Sequence, residues 1–209
     1  MDQFVNIAKK MILVKDMSDI LDFDLIDKTF AEMEFMPNRL NNISVDLNMF
    51  ERKGFEQIKE TLVEESVSYM VNAHGFRLGK DFSGLKITNS WANATAPGQC
   101  HHEHTHPFSI VSGVLFLDDN PDNLNLTLDA YLPSIPHYIP RKSNHVTLKA
   151  LMPEGTTLSK HLILFLSNTG HYVEPVEDTS NEIRRTLSFN TFWTGAVGDI
   201  DSELGRAIF

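Results

Sequence analysis

The stretch that decides the fold is residues 184–192, RRTLSFNTF. Positions 184, 186, 188 and 190 are polar, whereas Leu187 and Phe189 between them are apolar. Successive side chains of a β-strand point to opposite faces, so this alternation predicts a strand with one polar face. The same parity places Arg184 on the polar face with Thr186 and places Arg185 on the opposite face.

Short strand-like segments precede this stretch, with no helical pattern between them. Turn signals separate the segments, among them Pro97-Gly98 and Thr169-Gly170. Six or more short strands in sequence are typical of a sandwich or a jelly roll. Residues 132–142 contain three prolines and are predicted to form an irregular loop. The further predicted strands are residues 85–88, 110–117, 124–128, 146–148 and 162–166.

The first eighty residues have a helical pattern instead. Residues 54–74 place apolar side chains on one face and charged ones on the other, and Gly75 follows as a stop signal. Residues 24–35 predict a second helix, with aspartates available as the N-cap. We therefore expect an α+β, mainly β, jelly roll with helices packed on one sheet. It would form one domain overall, with a helical segment at 1–84, a β core at 85–193 and a tail at 194–209.

Composition excludes several functions. The 209 residues include 18 basic and 28 acidic side chains, giving a net charge of −10, which disfavours binding to a phosphate backbone. We therefore expect no nucleic-acid partner. One cysteine, Cys100, excludes an internal disulfide and fits a reducing compartment. No stretch approaches the ~18 apolar residues of a membrane span, and no signal-peptide core is present, so a cytoplasmic protein is expected.

Four of the nine histidines fall within six positions, which is more than packing requires. Imidazole is the commonest metal ligand, and an H-x-H pair on a strand presents two nitrogens to one ion. His102 with His104, His104 with His106, and His101 with Glu103 are all possible pairs. Periodicity does not choose among them, and a histidine-rich surface loop is the alternative.

A third ligand should come from a distant strand, because a catalytic metal site needs three protein ligands and open positions. His137, His145, His161 and His171 are the candidates, and His171 follows a strand-like run and Gly170. An arginine that points into a barrel is costly unless a carboxylate meets it. The order of histidine cluster, distal histidine and Arg184 therefore suggests a metal beside a carboxylate-bearing cosubstrate. An internal salt bridge of Arg184 is the alternative.

Three blocks then carry a family resemblance. The first comprises Trp91-Ala92-Asn93, Gly98, His104-Thr105-His106-Pro107 and Ser112-Gly113-Val114. The second comprises Phe165, Ser167, His171, Val173 and Pro175, with Leu166 where proline is usual. The third comprises Arg184, Thr186 and Ser188-Phe189-Asn190. In this pattern, which spans roughly residues 85–193, the chain resembles the 2-oxoglutarate/Fe(II)-dependent oxygenases, and more closely a small bacterial and phage branch related to prolyl-hydroxylase-like enzymes.

The resemblance implies a double-stranded β-helix, the jelly roll of cupin-like proteins, and it assigns roles. His104, His106 and His171 would bind Fe(II), with His106 standing where the superfamily usually has a carboxylate. Arg184 would pair with the distal carboxylate of 2-oxoglutarate, Thr186 would assist, and His101 is a weaker candidate for a cosubstrate contact.

The implied activity is that of a dioxygenase, an oxidoreductase that consumes O2 and 2-oxoglutarate and hydroxylates a small-molecule or peptide substrate. Distant relatives suggest a peptidyl proline. Two alternatives remain, namely a cupin-like three-histidine dioxygenase that does not use 2-oxoglutarate and a non-catalytic metal-binding module. The sequence does not indicate an oligomeric state.

Overall fold

Two helices and twelve strands form the part of the chain that the computed structural model describes, residues 11–76, 82–118, 124–127, 145–147, 157–175, 183–198 and 206–208. The helices are α1 (Phe23–Ala31) and α2 (Glu56–His74), and a 3-10 turn spans Met49–Glu51. The strands are β1 (Leu13–Asp16), β2 (Phe35–Asn38), β3 (Asn41–Ser44), β4 (Phe82–Thr95), β5 (His101–His104), β6 (Val111–Phe116), β7 (Leu124–Thr127), β8 (His145–Thr147), β9 (His161–Leu166), β10 (His171–Val173), β11 (Arg184–Gly198) and β12 (Arg206–Ile208).

The strands form two antiparallel sheets. The larger sheet has the order β1-β9-β6-β11-β4-β3-β2, with β12 paired to β11, and the smaller sheet has the order β5-β10-β7-β8. β11 lies between β6 and β4 and aligns Thr186 with Asn93 of β4. In the smaller sheet, His171 of β10 aligns with His104 of β5. This mainly antiparallel, two-sheet arrangement with few helices confirms the predicted fold class.

Alternation along the central strands divides the larger sheet into two faces. Leu187 and Phe189 of β11 are fully buried in a core that also contains Phe50 and Leu62 from the helical layer. The rings of Phe50 and Phe189 meet edge to face, with centroids 5.9 Å apart. The alternate residues of β11 point to the other side of the sheet, towards the smaller sheet. The helices therefore cover one face and leave the polar face of β11 for a site.

The two helices form where the sequence predicts them. The carboxylate of Asp22 accepts the backbone N–H of Leu25 at 3.0 Å and caps α1. α2 ends at Gly75, which adopts the left-handed conformation with φ 66° that glycine tolerates best. α1 is shorter than predicted, because the chain turns into β2 at Phe35.

The prediction of a helical segment over the first eighty residues is wrong in part, because β1, β2 and β3 lie within it. β1 pairs with β9 and β3 pairs with β4, so these strands join the same sheet as the core. They exist because edges of the larger sheet offer hydrogen-bonding partners, a long-range effect that local pattern does not reveal. β2 contains Pro37 and lies at the edge of the sheet, the place where a strand tolerates proline.

The predicted strands all correspond to observed ones, namely β4, β6, β7, β8, β9 and β11. β11 continues to Gly198 and pairs with β12, in a region where the sequence has no clear signal. The predicted loop at residues 132–142, with His137, lies outside the described residues. Neither described helix combines the length and apolar character needed to span a membrane.

Candidate metal and cosubstrate site

A cavity lies between the two sheets, and we call it the inter-sheet cavity. The smaller sheet and the turn after β5 contribute histidines, whereas β4, β6 and β11 of the larger sheet contribute polar and apolar side chains. The lining is neutral or cationic, with no acidic side chain among the described residues. It comprises Asn41, Trp91, Asn93, Thr95, His101, His104, His106, Gly113, Val114, Phe116, His171, Val173, Arg184, Thr186, Ser188 and Phe189.

Three histidines converge at the smaller-sheet side of this cavity. Ligand atoms of His104, His106 and His171 all lie within 4.8 Å of one another. The Nε2 atoms of His106 and His171 are 3.2 Å apart. Two nitrogens bound to one cation at ~2.1 Å would lie about 3 Å apart, so this separation suits two ligands of a shared ion. The three histidines could therefore hold a metal.

Backbone carbonyls orient two of these rings. Nδ1 of His104 lies 2.8 Å from the carbonyl oxygen of His102, and Nδ1 of His171 lies 3.0 Å from that of Thr169. In each case the Nδ1–H donates to the carbonyl, which leaves the lone pair of Nε2 directed away from the backbone. Metal-binding histidines use this arrangement to fix both tautomer and ring orientation.

A β-bulge decides which of the clustered histidines face the cavity. β10 aligns His171 with His104 but Val173 with His101, so three steps on β5 oppose two on β10. His101 and His104 consequently both line the inter-sheet cavity. Strict alternation would instead have placed His102 beside His104. His102 is exposed, and its Nε2 lies 3.2 Å from Nη1 of Arg39.

Burial keeps the histidines of the cavity neutral. Desolvation, followed by the charges of neighbouring histidines, lowers the pKa of His106 to about 3 and that of His101 to about 4. Desolvation also lowers the pKa of His104, and that of His171 falls well below its usual value. Neutral imidazole is the form that binds metals, so the cluster is ready for a cation at neutral pH.

Arg184 provides the positive charge of the cavity. It is only 8% exposed, and no carboxylate of the described residues lies within ion-pair distance of it. Desolvation alone lowers its pKa to about 10, so it stays protonated at neutral pH. Arg185 faces the other way, where its guanidinium donates to Asp118 and Asp27. The parity prediction for the two arginines is thus confirmed, and an anion from outside the described chain would satisfy Arg184.

Thr186 and Ser188 follow Arg184 on the same face of β11, and β4 holds them in place. Nδ2 of Asn93 donates to Thr186 Oγ1 at 3.1 Å and to Ser188 Oγ at 3.0 Å. Asn93 belongs to the first family block, but the sequence predicts no role for it, although its alternation with Trp91 and Thr95 along β4 could have placed it on the cavity face. Trp91 is also part of the wall, with its ring centroid 6.1 Å from that of His106.

The other sequence candidates lie elsewhere. His161 donates its Nδ1–H to the backbone oxygen of Ser159 at 2.8 Å and lies at the start of β9, opposite Asp16 of β1. Glu103 is exposed, so the pairing of His101 with Glu103 does not share a face. The side chain of His145 lies outside the described part, and His137 does so entirely. Of the four distal candidates, the structure brings His171 to the cluster.

The comparisons with known proteins agree with this geometry. Residues 89–190 match the model of a family described as putative 2OG-Fe(II) oxygenase. This match confirms the family resemblance of the three sequence blocks. The cofactors of such oxygenases are Fe(II), 2-oxoglutarate and O2, the set that the sequence predicts. No protein with a curated description matches the chain at a significant level.

Solved structures share the fold at low sequence identity. A prolyl-4-hydroxylase from Pseudomonas putida has a TM-score of 0.54 and 14% identity, over 87% of this chain and 91% of that one. A prolyl hydroxylase from Trichoplax adhaerens, in complex with a hypoxia-inducible-factor peptide fragment, has a TM-score of 0.54 and 15% identity, over 87% and 83%. HygX from Streptomyces hygroscopicus, with nickel, 2-oxoglutarate and hygromycin B bound, has a TM-score of 0.51 and 6% identity, over 86% and 82%.

Proposed function

We propose that this chain, whose residues 89–190 match the 2OG-Fe(II) oxygenase family, is a hydroxylase with Fe(II) bound to His104, His106 and His171. One observation carries the proposal. A buried, charged arginine that has no carboxylate partner among the described residues lines the same cavity as three converging neutral histidines. A buried charge is retained at a cost, so the natural reason for Arg184 is an anionic ligand that binds beside the metal.

Arg184 would hold the distal carboxylate of 2-oxoglutarate through the planar guanidinium, which can donate two parallel hydrogen bonds. Thr186, two residues along the same face, would donate its hydroxyl hydrogen to that carboxylate. His101 lines the cavity beside His104, with ring centroids 4.4 Å apart, and would contact the metal-proximal end of the cosubstrate. The chain's own residues thereby bind and orient the cosubstrate.

The bound Fe(II) would supply activation of O2, which 2-oxoglutarate reduces as it is converted to succinate and carbon dioxide. His104 and His171 keep their Nε2 lone pairs free for the metal because each donates its Nδ1–H to a backbone carbonyl, that of His102 and that of Thr169 respectively. A shell of three neutral histidines carries one negative charge less than a shell of two histidines and a carboxylate. We therefore expect its metal to differ in affinity and redox behaviour from that of the usual shell.

The substrate we propose to test first is a peptidyl proline, because two of the similar folds are prolyl hydroxylases. A small molecule is the second class, since HygX has hygromycin B bound. Fold likeness does not transfer specificity, so both classes belong in the first screen. We also keep the expectation of a cytoplasmic location, which the single cysteine supports.

Titration calorimetry of the nickel-loaded chain with 2-oxoglutarate tests the cosubstrate site. We expect metal-dependent binding by the wild type, loss of binding in Arg184→Met and unchanged binding in the matched control Arg185→Met. Equal affinity of wild type and Arg184→Met would overturn the assignment of Arg184.

Two further outcomes identify the rival functions. Nickel binding without 2-oxoglutarate binding would favour a cupin-like three-histidine dioxygenase that does not use this cosubstrate. An Fe(II)-loaded chain that consumes no O2 with 2-oxoglutarate or any peptide or small molecule in the screen would favour a non-catalytic metal-binding module. Fe(II)-dependent release of succinate would support the oxygenase.

A further inference from the structure

Asn93 occupies a position between the two strands that carry the polar wall of the inter-sheet cavity. It is 9% exposed and aligns with Thr186 across the β4–β11 pair. Its amide nitrogen donates to Thr186 Oγ1 at 3.1 Å and to Ser188 Oγ at 3.0 Å. An amide has two hydrogens to donate, so these two contacts use both of them.

The side-chain amide of Asn41 fixes the orientation of the Asn93 amide, because it donates to the oxygen of Asn93. Nδ2 of Asn41 donates to Oδ1 of Asn93 at 3.4 Å, and Nδ2 of Asn38 donates to Oδ1 of Asn41 at 3.5 Å. The hydrogen bonds therefore run in one direction, from the β2–β3 hairpin through Asn93 to β11. If Asn41 instead turned its Oδ1 towards Asn93, the amide nitrogen of Asn93 would donate to Asn41, and its Oδ1 would face the two hydroxyls.

The direction of these hydrogen bonds leaves the hydroxyl hydrogen of Thr186 without an acceptor in the part of the chain that the structure describes. A hydroxyl that accepts from Asn93 still has its own O–H to donate. Among the described residues, Thr186 Oγ1 has no hydrogen bond other than the one from Asn93. Thr186 lines the cavity two positions from Arg184 on the same face of β11. Its O–H can therefore be donated to an anion that Arg184 holds.

We propose that Asn93 is a positioning residue, which orients the hydroxyl of Thr186 so that its hydrogen is donated to the distal carboxylate of 2-oxoglutarate. The inference rests on the function proposed above. Asn93 does not touch the cosubstrate in this arrangement, because both of its amide hydrogens are donated to hydroxyls. Its effect on cosubstrate affinity must consequently pass through one of these hydroxyls. Thr186 is nearer to Arg184 along β11 than Ser188 is, so we expect the effect to depend on Thr186, and an experiment can measure this dependence.

A double-mutant cycle on the dissociation constant of 2-oxoglutarate, with the nickel-loaded full chain, provides the test. Thr186→Val removes the donor at nearly constant shape and should weaken binding about tenfold, the value of one hydrogen bond to a charged group. Asn93→Ala should weaken it about threefold to tenfold by leaving the hydroxyl unoriented. In the Thr186→Val background, Asn93→Ala should have no further effect. Effects that multiply in the double variant would overturn the inference, because Asn93 would then act independently of Thr186.

Readouts other than cosubstrate affinity exclude a merely structural effect. Asn93→Ala should leave the nickel dissociation constant unchanged, since the three histidines belong to β5, the turn after it and β10. Thr186→Ser keeps the hydroxyl and should retain sensitivity to Asn93→Ala. A parallel loss of nickel and 2-oxoglutarate affinity in Asn93→Ala would count against a positioning role.

A second variant covers the case in which Asn93→Ala does not fold. Asn93→Asp has the same size, but its carboxylate accepts from the hydroxyls and so draws the Thr186 hydrogen away from the cavity. It should weaken binding more in the otherwise wild-type chain than in the Thr186→Val background, where only charge repulsion remains. Equal losses in both backgrounds would overturn the inference. A wild-type chain that binds nickel but not 2-oxoglutarate would instead overturn the proposed function itself.

Discussion

Replacing Arg184 with methionine should stabilise the protein while abolishing cosubstrate binding. Burial lowers the pKa of Arg184 from its usual value to about 10. At about 1.4 kcal/mol per pKa unit, this lowering corresponds to about 3 kcal/mol of unfavourable free energy for the charged side chain in the fold. Because the folded state has the lower pKa, the cost is fully present below about pH 10 and is lost as the pH rises from there towards the pKa of an exposed arginine.

Methionine keeps the length of the side chain but carries no charge. Part of the desolvation cost is relieved by water in the cavity, so we expect Arg184→Met to raise the free energy of unfolding by about 2 kcal/mol at pH 7. For a chain of this size, that change raises the melting temperature by about 4–8 °C. Urea unfolding of the metal-free protein, followed by tryptophan fluorescence, measures the first quantity, and differential scanning calorimetry measures the second.

Arg185→Met is the matched control, because the neighbouring arginine faces solvent and donates to Asp118 and Asp27. These carboxylates raise the pKa of Arg185, so its ion pairs stabilise the fold. Their loss should lower the free energy of unfolding by about 1 kcal/mol, given the exposure of the pair. A loss of stability in Arg184→Met as well would refute the reasoning, since it would mean that Arg184 has an internal carboxylate partner.

Three further predictions concern the metal ligands and the packing around them. His171→Ala should abolish nickel binding in a calorimetric titration, whereas His102→Ala, at an exposed position, should leave it unchanged; nickel binding by His171→Ala would exclude that ligand. Gly113→Ala should lower the free energy of unfolding in urea by about 2 kcal/mol, because a Cβ there would overlap the buried ring of Phe189; wild-type stability would show that the ring can move. Phe108 has φ 62° and is 90% exposed. Asparagine adopts this left-handed conformation more readily than phenylalanine, so Phe108→Asn should raise the free energy of unfolding in urea by about 0.5–1 kcal/mol. A decrease would show that the ring makes a stabilising contact.

Periodicity alone does not predict which of the clustered histidines converge in the inter-sheet cavity. Alternation leaves His102, His104 and His106 on one face, and the family resemblance then selects His104, His106 and His171. The structure brings those three together and turns His102 outwards. The reason is the bulge between β5 and β10, which depends on how two strands separated by many residues align.

The polar side chains of β11 that line the inter-sheet cavity were likewise predictable only in part from the sequence. The face that Arg184 shares with Thr186 is a local property of β11, because a strand alternates whatever it pairs with. That alternation is readable in residues 184–192 and distinguishes Arg184 from Arg185. The hydrogen bonds of Asn93 to Thr186 and Ser188 are not readable there, since they require β4 and β11 to pair in one particular register.

The sequence by itself therefore determined most strands of the core but not β5 and β10, and it determined the two faces of β11. Through the family blocks it also indicated the residues that could bind a metal and an anion. Only the tertiary structure decided that β1–β3 join the larger sheet, that His101 and not His102 faces the cavity, and that Arg184 has no carboxylate among the described residues. The physical reason is the separation along the chain between the groups that interact. Side-chain alternation is set by the backbone of one strand, whereas pairing, bulges and burial are set by partners distant in the chain.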